Sequence, residues 1–337
     1  MKWLYFLLLI LIIISCRKDD EIEPLYSPAL METPKGFPDI NFPEGNEFTK
    51  ARWDLGKRLF FDQGLSVDST ISCASCHKPE LAFSDDIAFS LGVEDRLGTR
   101  NASTLANIAY HPYFTREGGV PTLEMQVFVP VQEHNEFDFN IVLIADRLKQ
   151  DSTYVEMAHS AYDREVDAFV ITRALACFER SLLSGYSLYD QYTHHGKEGA
   201  LSASAIRGMN LFFDEKTNCS KCHSGFNFSN YAFENNGLYE EYEDEGRFRL
   251  TGNESDRALF KVPSLRNIEL TAPFMHDGSL NTLEEVIEHY QAGGKNHPHK
   301  SDLIQPLNLT ESEKADLIEF LESLTDEHFI SNPFFKK

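Results

Sequence analysis

Positive charge is scarce in this chain. Its 337 residues carry 31 Lys and Arg against 53 Asp and Glu, a formal net charge of −22. A nucleic-acid binder must neutralise phosphates with basic side chains, so the acid excess argues against that class and favours basic partners. Long apolar runs are missing too. No stretch after residue 16 approaches the ~20 apolar residues that a spanning helix needs, which excludes a polytopic membrane protein. Alternating Val, Thr and Ile are scarce, so little sheet is expected. Tryptophan is nearly absent: of two, Trp3 lies in the N-terminal apolar run and only Trp53 remains. The apolar content, 42%, is ordinary and excludes wholesale disorder. The length is generous for one domain and comfortable for two.

The first sixteen residues read as an address. Met1-Lys2 supplies one positive charge, Trp3 to Ile14 is an uninterrupted apolar run, and Ser15-Cys16 follows. This is the layout of a secretory signal over residues 1–15, and the cysteine after it resembles a bacterial lipobox, with Cys16 acylated. The run is too short to span a bilayer comfortably. A lipid on Cys16 implies an outer-membrane lipoprotein facing the periplasm. The following Arg17-Lys18-Asp19-Asp20-Glu21 resembles the charged tether that sends some such proteins to the cell surface. Pro24, Pro28, Pro34 and Pro38 suit an extended tether over residues 16–45.

The remaining cysteines carry the chemistry. Cys73-Ala74-Ser75-Cys76-His77 and Cys219-Ser220-Lys221-Cys222-His223 share one pattern, C-x-x-C-H, the attachment motif of c-type haem. Two thiols one turn apart add to the two haem vinyl groups, and the adjacent imidazole faces the iron. A zinc site would use four cysteines but leaves the two histidines without a purpose. A redox disulfide needs a βαβ setting that the pattern lacks. Two covalent haems are expected. Cys177, in an apolar helix-like segment, reads as a buried, inert thiol.

The chain repeats around these motifs. Gly56-Lys57-Arg58-Leu59-Phe60-Phe61-Asp62 precedes the first and Gly208-Met209-Asn210-Leu211-Phe212-Phe213-Asp214 the second. Two related modules follow from this. Helical spacing of apolar residues predicts helices over Phe139–Lys149 and Val166–Leu183. Capping boxes at Thr282–Glu285 and Thr310–Glu313 predict two more. Asn235 to Asn253 reads as an acidic loop. A module boundary falls at Tyr192 to Gly199, giving modules over 46–195 and 196–330.

Several stretches, taken together, resemble the bacterial dihaem cytochrome c peroxidase/MauG family over roughly residues 50–325. They are Leu55 to Asp62, Arg100-Asn101-Ala102-Ser103-Thr104, Leu123-Glu124-Met125-Gln126, Val262 to Asn267 and Ala272 to Gly278. The resemblance implies an all-α fold of two cytochrome c-like haem domains packed around an interdomain interface. It implies a peroxidatic haem on His77 and an electron-transfer haem on His223. It places Gln126 and Glu136 at the distal-pocket glutamine and glutamate, with Pro130 between them. Heterolysis of a peroxide needs a base that moves a proton between its oxygens, and a carboxylate shielded by apolar neighbours can do that. The resemblance also implies a calcium ion between the modules, on Asn101, Thr271 and Pro273, and the family includes homodimers.

Three positions depart from the common family pattern. Many members hold a sixth-ligand histidine on the peroxidatic iron at rest; that register falls on Val93, which cannot ligate, so an open iron is expected. His111 is the alternative ligand. The usual interhaem tryptophan falls on Arg116, leaving direct transfer or a neighbouring aromatic such as Tyr113 or Phe114. The sixth ligand of the second haem falls on Tyr290, which shares a helix face with Leu283, Val286 and Ile287. His297, His299 and Met275 stand as alternatives. The leading expectation is a peroxidase that reduces H2O2 with electrons from a small cytochrome c or cupredoxin. A MauG-like oxidase acting on a protein or small molecule, and a non-enzymatic dihaem carrier, remain open.

Overall fold

A computed structural model describes residues 30–337; the expected signal, Cys16 and the first part of the tether lie outside the described residues. Seven helices of eight or more residues are present among them. They are α1 (Lys50–Phe60), α2 (Ile141–Leu148), α3 (Ser152–Tyr162), α4 (Ala168–Arg180), α5 (Ala203–Phe213), α6 (Leu283–Gln291) and α7 (Glu311–Glu322). The sheet is one antiparallel pair of two-residue strands, β1 (Phe233–Glu234) and β2 (Phe260–Lys261). The fold is all-α, as the scarcity of alternation predicts.

Local chemistry accounts for the helix limits. Thr282 with Glu285 and Thr310 with Glu313 form reciprocal caps at the starts of α6 and α7. Asn140 caps α2, which buries Ile141, Ile144, Ala145 and Leu148 on one stripe. Helix α4 stops at Arg180, short of the expected Leu183, where the Ser181 and Leu182 N–H groups turn back to Phe178 and Glu179.

Two helix crossings organise the molecule, α1 on α4 and α5 on α7. Each is made possible by a glycine. A Cβ on Gly56 would lie 1.9 Å from the Ala174 carbonyl oxygen, and one on Gly208 would lie 1.8 Å from that of Asp316. The backbones therefore touch, and the phenylalanines of the repeat pack beside them: Phe60 on Phe178 with ring centres 5.1 Å apart, and Phe212 on Phe320 at 5.2 Å. Each crossing anchors its own apolar core. Trp53 belongs to the first, its indole N–H bonded to Ser181 Oγ at 2.8 Å, so it is a structural residue.

The two cores are laced together at both ends of the described residues. The short helix Leu188–Thr193 already packs with the second core, through Tyr189 against Phe228 and Phe320. The described part of the expected tether is not free chain. Leu30 and Met31 are buried, and Phe37 packs against Tyr110 of the first module and Phe226 of the second. Apolar side chains hold this stretch down where prolines alone suggested a spacer. At the other end, Phe329 and Phe335 enter the first core.

Adding one methyl at either crossing should be costly, because backbone atoms cannot swing aside. Gly56→Ala and Gly208→Ala are each expected to destabilise by ~1–3 kcal/mol or more despite alanine's better helix propensity. Thermal melts of the haem-loaded variants read this directly; an unchanged midpoint contradicts the packing account.

Candidate haem sites and module interface

Each C-x-x-C pair forms a one-turn helix, Cys73–Cys76 and Cys219–Cys222. The turn continues far enough for the His77 N–H to reach the Cys73 carbonyl and the His223 N–H that of Cys219, both at 2.9 Å. His77 Nδ1 then meets the carbonyl of Phe83 at 2.8 Å, and His223 Nδ1 that of Phe228 at 3.1 Å. A carbonyl only accepts, so Nδ1 carries the proton and Nε2 is left as a ligand. Burial lowers both imidazole pKa values and keeps the rings neutral. Phe83 and Phe228 hold left-handed backbone angles, φ 60 and φ 49. Such angles are uncommon for a bulky residue, and here they aim each carbonyl at its imidazole.

The thiols of Cys73, Cys76, Cys219 and Cys222 are all unpaired. Among the described residues no three His, Cys, Asp or Glu side chains converge, so the two pairs do not build a joint zinc site. Two free thiols one turn apart beside a neutral, oriented imidazole fit haem c. Cys177 is free and fully buried in α4, and burial pushes its thiol up to about 11.

Glu136 shares the first of these sites: its carboxylate acts electrostatically on both Cys73 and Cys76. The chain returns to this point because Phe137 and Phe139 donate to the carbonyls of Pro130 and Val131, at 3.2 and 2.9 Å. The carboxyl keeps an accessible face, but protein crowds it on the other sides. That desolvation, with the like charge of Glu133, pushes it up to about 7. Val93 is fully buried, and its N–H bonds the Glu136 carbonyl at 3.0 Å. Gly92 permits this approach, since a Cβ there would fall 2.0 Å from the Asn135 carbonyl oxygen. Gln126 ends the short helix Leu123–Gln126, which a two-pronged Arg180–Glu124 pair at 2.6 and 2.9 Å fixes to α4. His111 lies elsewhere, at the module interface, with Nδ1 3.4 Å from Lys261 Nζ and its ring against Tyr231. Its Nε2 is buried without a partner.

In the second module, the phenol of Tyr290 is within electrostatic reach of both Cys219 and Cys222. Burial pushes it up to about 12, while a hydrogen bond with Asn236 pulls the other way. Asn236 also donates from Nδ2 to Met275 Sδ at 3.1 Å, so both candidate ligands share one neighbour. His297 instead packs on Tyr242, and His299 Nδ1 faces the Arg257 carbonyl at 3.0 Å. The two modules match at an offset of 160 residues here. Asn107 and Asn267 both sit in left-handed turns, and Thr122 and Thr282 both cap helices. Phe114 bridges Val120 as Phe274 bridges Leu280. In that register Tyr290 falls on Pro130, a residue with nothing to offer a metal.

The same offset organises the interface. Lys261 N–H bonds the Arg116 carbonyl at 2.7 Å, and Asn101 N–H bonds the His276 carbonyl at 2.9 Å. Arg116 Nη2 lies 2.8 Å from the Asn101 carbonyl oxygen and 3.4 Å from its Oδ1. Burial and the neighbouring Arg100 pull this guanidinium down to about 10, still charged at neutral pH. Arg100 clamps Asp244 of the second module through Nε and Nη2, at 2.6 and 2.8 Å. Thr271 Oγ1 donates to the Ile268 carbonyl, and Pro273 follows a cis peptide bond in the loop that ends at His276.

Comparison with known proteins agrees with this geometry. A family model described as "Di-haem cytochrome c peroxidase" matches residues 50–198. The methylamine utilization protein MauG of Methylorubrum extorquens is 35% identical over 291 residues, covering 86% of this chain and 82% of that one. The cytochrome c551 peroxidase of Nitrosomonas europaea is 35% identical over 240 residues, covering 70% of this chain and 71% of that one. A solved MauG-like protein associated with microbial copper homeostasis superposes with a TM-score of 0.85 at 35% identity, covering 90% of this chain and 97% of that one. The chain belongs to the dihaem cytochrome c peroxidase/MauG family. It is a haem c oxidoreductase built from two cytochrome c-like domains.

Three contributors carry no signal in the sequence pattern. The Phe83 and Phe228 carbonyls act through the backbone, which has no letter of its own. Glu179 faces the first site from α4, where it acts on Cys73. Its Oε2 is buried without a partner, and burial, opposed by Arg180, pushes the carboxyl up to about 8. A carboxyl whose folded pKa lies above its unfolded value of ~4.3 adds stability that is full at low pH and is lost as pH rises toward about 8. Glu179→Gln should therefore flatten the pH dependence of the melting midpoint. Variant and wild type should agree near pH ~4, with the variant the more stable at pH ~9.

Proposed function

We propose that this chain is a dihaem c-type peroxidase that reduces H2O2 to water with two electrons from a small external redox protein, a cytochrome c or a cupredoxin. The observation that carries the reading is Glu136, a crowded carboxyl lifted to about 7 beside the first haem-attachment motif. Haem c, held through Cys73, Cys76 and His77 and through Cys219, Cys222 and His223, supplies when bound the iron that passes electrons to peroxide. Glu136 takes the proton from one peroxide oxygen and delivers it to the other, which departs as water; with two electrons and two protons from solvent, one H2O2 yields two H2O. Gln126 orients the peroxide by hydrogen bonding. Val93 is an aliphatic residue locked to the Glu136 backbone, so it can supply no ligand, which supports an open iron at the first site. Reductive activation is then unnecessary.

For the second haem we favour Tyr290 as sixth ligand over Met275. A phenolate favours ferric iron and lowers the potential, and Asn236 stands beside the phenol to support the charge. Calcium forms no part of the proposal, because Arg116 already holds the Asn101 oxygens. Export and acylation at Cys16 would put the chain at the outer membrane, facing the periplasm.

A MauG-like oxidase is the second reading, supported by Val93 and by the 35% identity to MauG. The copper homeostasis associated with the solved relative makes a copper-handling protein the first substrate to try. A fixed guanidinium at the usual tryptophan position opposes storing a positive hole there. A pure electron carrier has no use for Glu136.

Peroxide turnover by the as-isolated protein with reduced cytochrome c tests the leading reading. Activity is expected without prior reduction, with kcat/KM rising through a transition near about 7 as Glu136 ionises. Glu136→Gln is expected to lower it on the order of a hundred- to ten-thousand-fold and to remove the transition. No turnover before or after reduction eliminates the peroxidase, and activity only after reduction eliminates the open first site. Electron paramagnetic resonance of the oxidised protein should show one high-spin iron. Tyr290→Phe should change only the signal of the other.

A further inference from the structure

We propose that the guanidinium of Arg116 is the resident cation of the module interface, in the place where the family resemblance leads one to expect calcium, and that this chain carries no calcium there. The inference goes beyond the peroxidase reading and does not rest on it.

The donor set is already committed. A calcium ion would need Asn101 Oδ1 with neutral carbonyls of the 271–273 loop, at ~2.4 Å each. Asn101 Oδ1 instead faces Arg116 Nη2 at 3.4 Å, and the Asn101 carbonyl accepts from the same nitrogen at 2.8 Å. The amide cannot turn to free its oxygen without loss, because its Nδ2 donates to the Ile87 carbonyl at 3.2 Å. An ion bound to Oδ1 would lie no farther than ~6 Å from the guanidinium nitrogen, with like charges facing in an enclosed site. No carboxylate cage offsets that repulsion, since no three acidic, His or Cys side chains converge among the described residues. Of the acids that act on Arg116, Asp244 and Glu117 are held by Arg100, and Asp277 accepts from the Tyr239 hydroxyl at 2.6 Å.

Arg116 also braces the strand ends that meet at the seam. Its carbonyl accepts the Lys261 N–H of β2 in the second module. Its guanidinium grips Asn101, whose own N–H reaches the His276 carbonyl of the second module. The guanidinium thus ties together, within the first module, the two residues whose backbones pair with Lys261 and His276 across the seam. A guanidinium keeps its charge at every physiological pH and cannot be chelated away.

The test uses the haem-loaded, full-length protein, equilibrated with calcium and gel-filtered without chelator. Elemental analysis should find iron but no stoichiometric calcium, and the melting midpoint and oxidised spectrum should be the same with calcium or with EGTA. Calcium at one per chain, or a midpoint that falls in EGTA, overturns the proposal. Arg116→Gln should lower the midpoint and Arg116→Lys should recover part of the loss; a glutamine variant as stable as wild type also overturns it. The wild-type measurements decide even where Arg116→Gln fails to fold.

Discussion

An imidazole has two nitrogens, and a metal can use only the one without a proton. In both modules that choice is made by a backbone carbonyl offered to Nδ1, from Phe83 to His77 and from Phe228 to His223. Each carbonyl is aimed by a phenylalanine in a left-handed conformation, which the surrounding core must hold in place. The crossings at Gly56 and Gly208 set the position of that core, and the repeated phenylalanines fill it. Haem attachment, ring orientation and core packing are thus one connected arrangement, built twice.

The two copies differ where their chemistry must differ. At an offset of 160 residues, one module carries Pro130 and the other Tyr290. The first position cannot reach a metal, while the second carries a phenol beside Asn236. The first module adds Glu136, crowded enough to titrate near neutrality. A duplicated scaffold thus carries two different sites by few exchanges, a crowded carboxyl beside one attachment motif and a phenol beside the other. The interface keeps the symmetry of the pair, with Asn101 and Lys261 donating reciprocally to His276 and Arg116.

Much of this was legible beforehand, for definite reasons. The C-x-x-C-H motifs, the Gly and Phe repeat and the reciprocal caps of α6 and α7 are local patterns, and local patterns survive in a string of letters. The all-α class followed from periodicity and from the haem modules. The expectation for Glu136 needed register as well, because a glutamate among polar neighbours looks like any surface acid; its crowding beside the first motif arises from Pro130 and Val131 drawing the chain back. Illegible were contacts that join distant parts through atoms every residue shares, such as the two phenylalanine carbonyls. Arg116 was visible only as a missing tryptophan. That its charge reaches Asn101 is a tertiary fact. The strap over Leu30–Gly45 was misjudged because proline content hid the anchoring of Leu30, Met31 and Phe37.

The lacing of the two modules bears on how the molecule closes. Phe329 and Phe335, which follow the second module in the chain, complete the core that surrounds the first haem motif. Asp326, just before them, accepts N–H groups from Gly185 and Tyr186 at 2.8 Å, where the chain passes from one half to the other. The earlier half therefore stays unsealed until the later half has been delivered. The core against which Cys73 packs is thus completed only when both halves meet, which makes closure a single event instead of two successive ones.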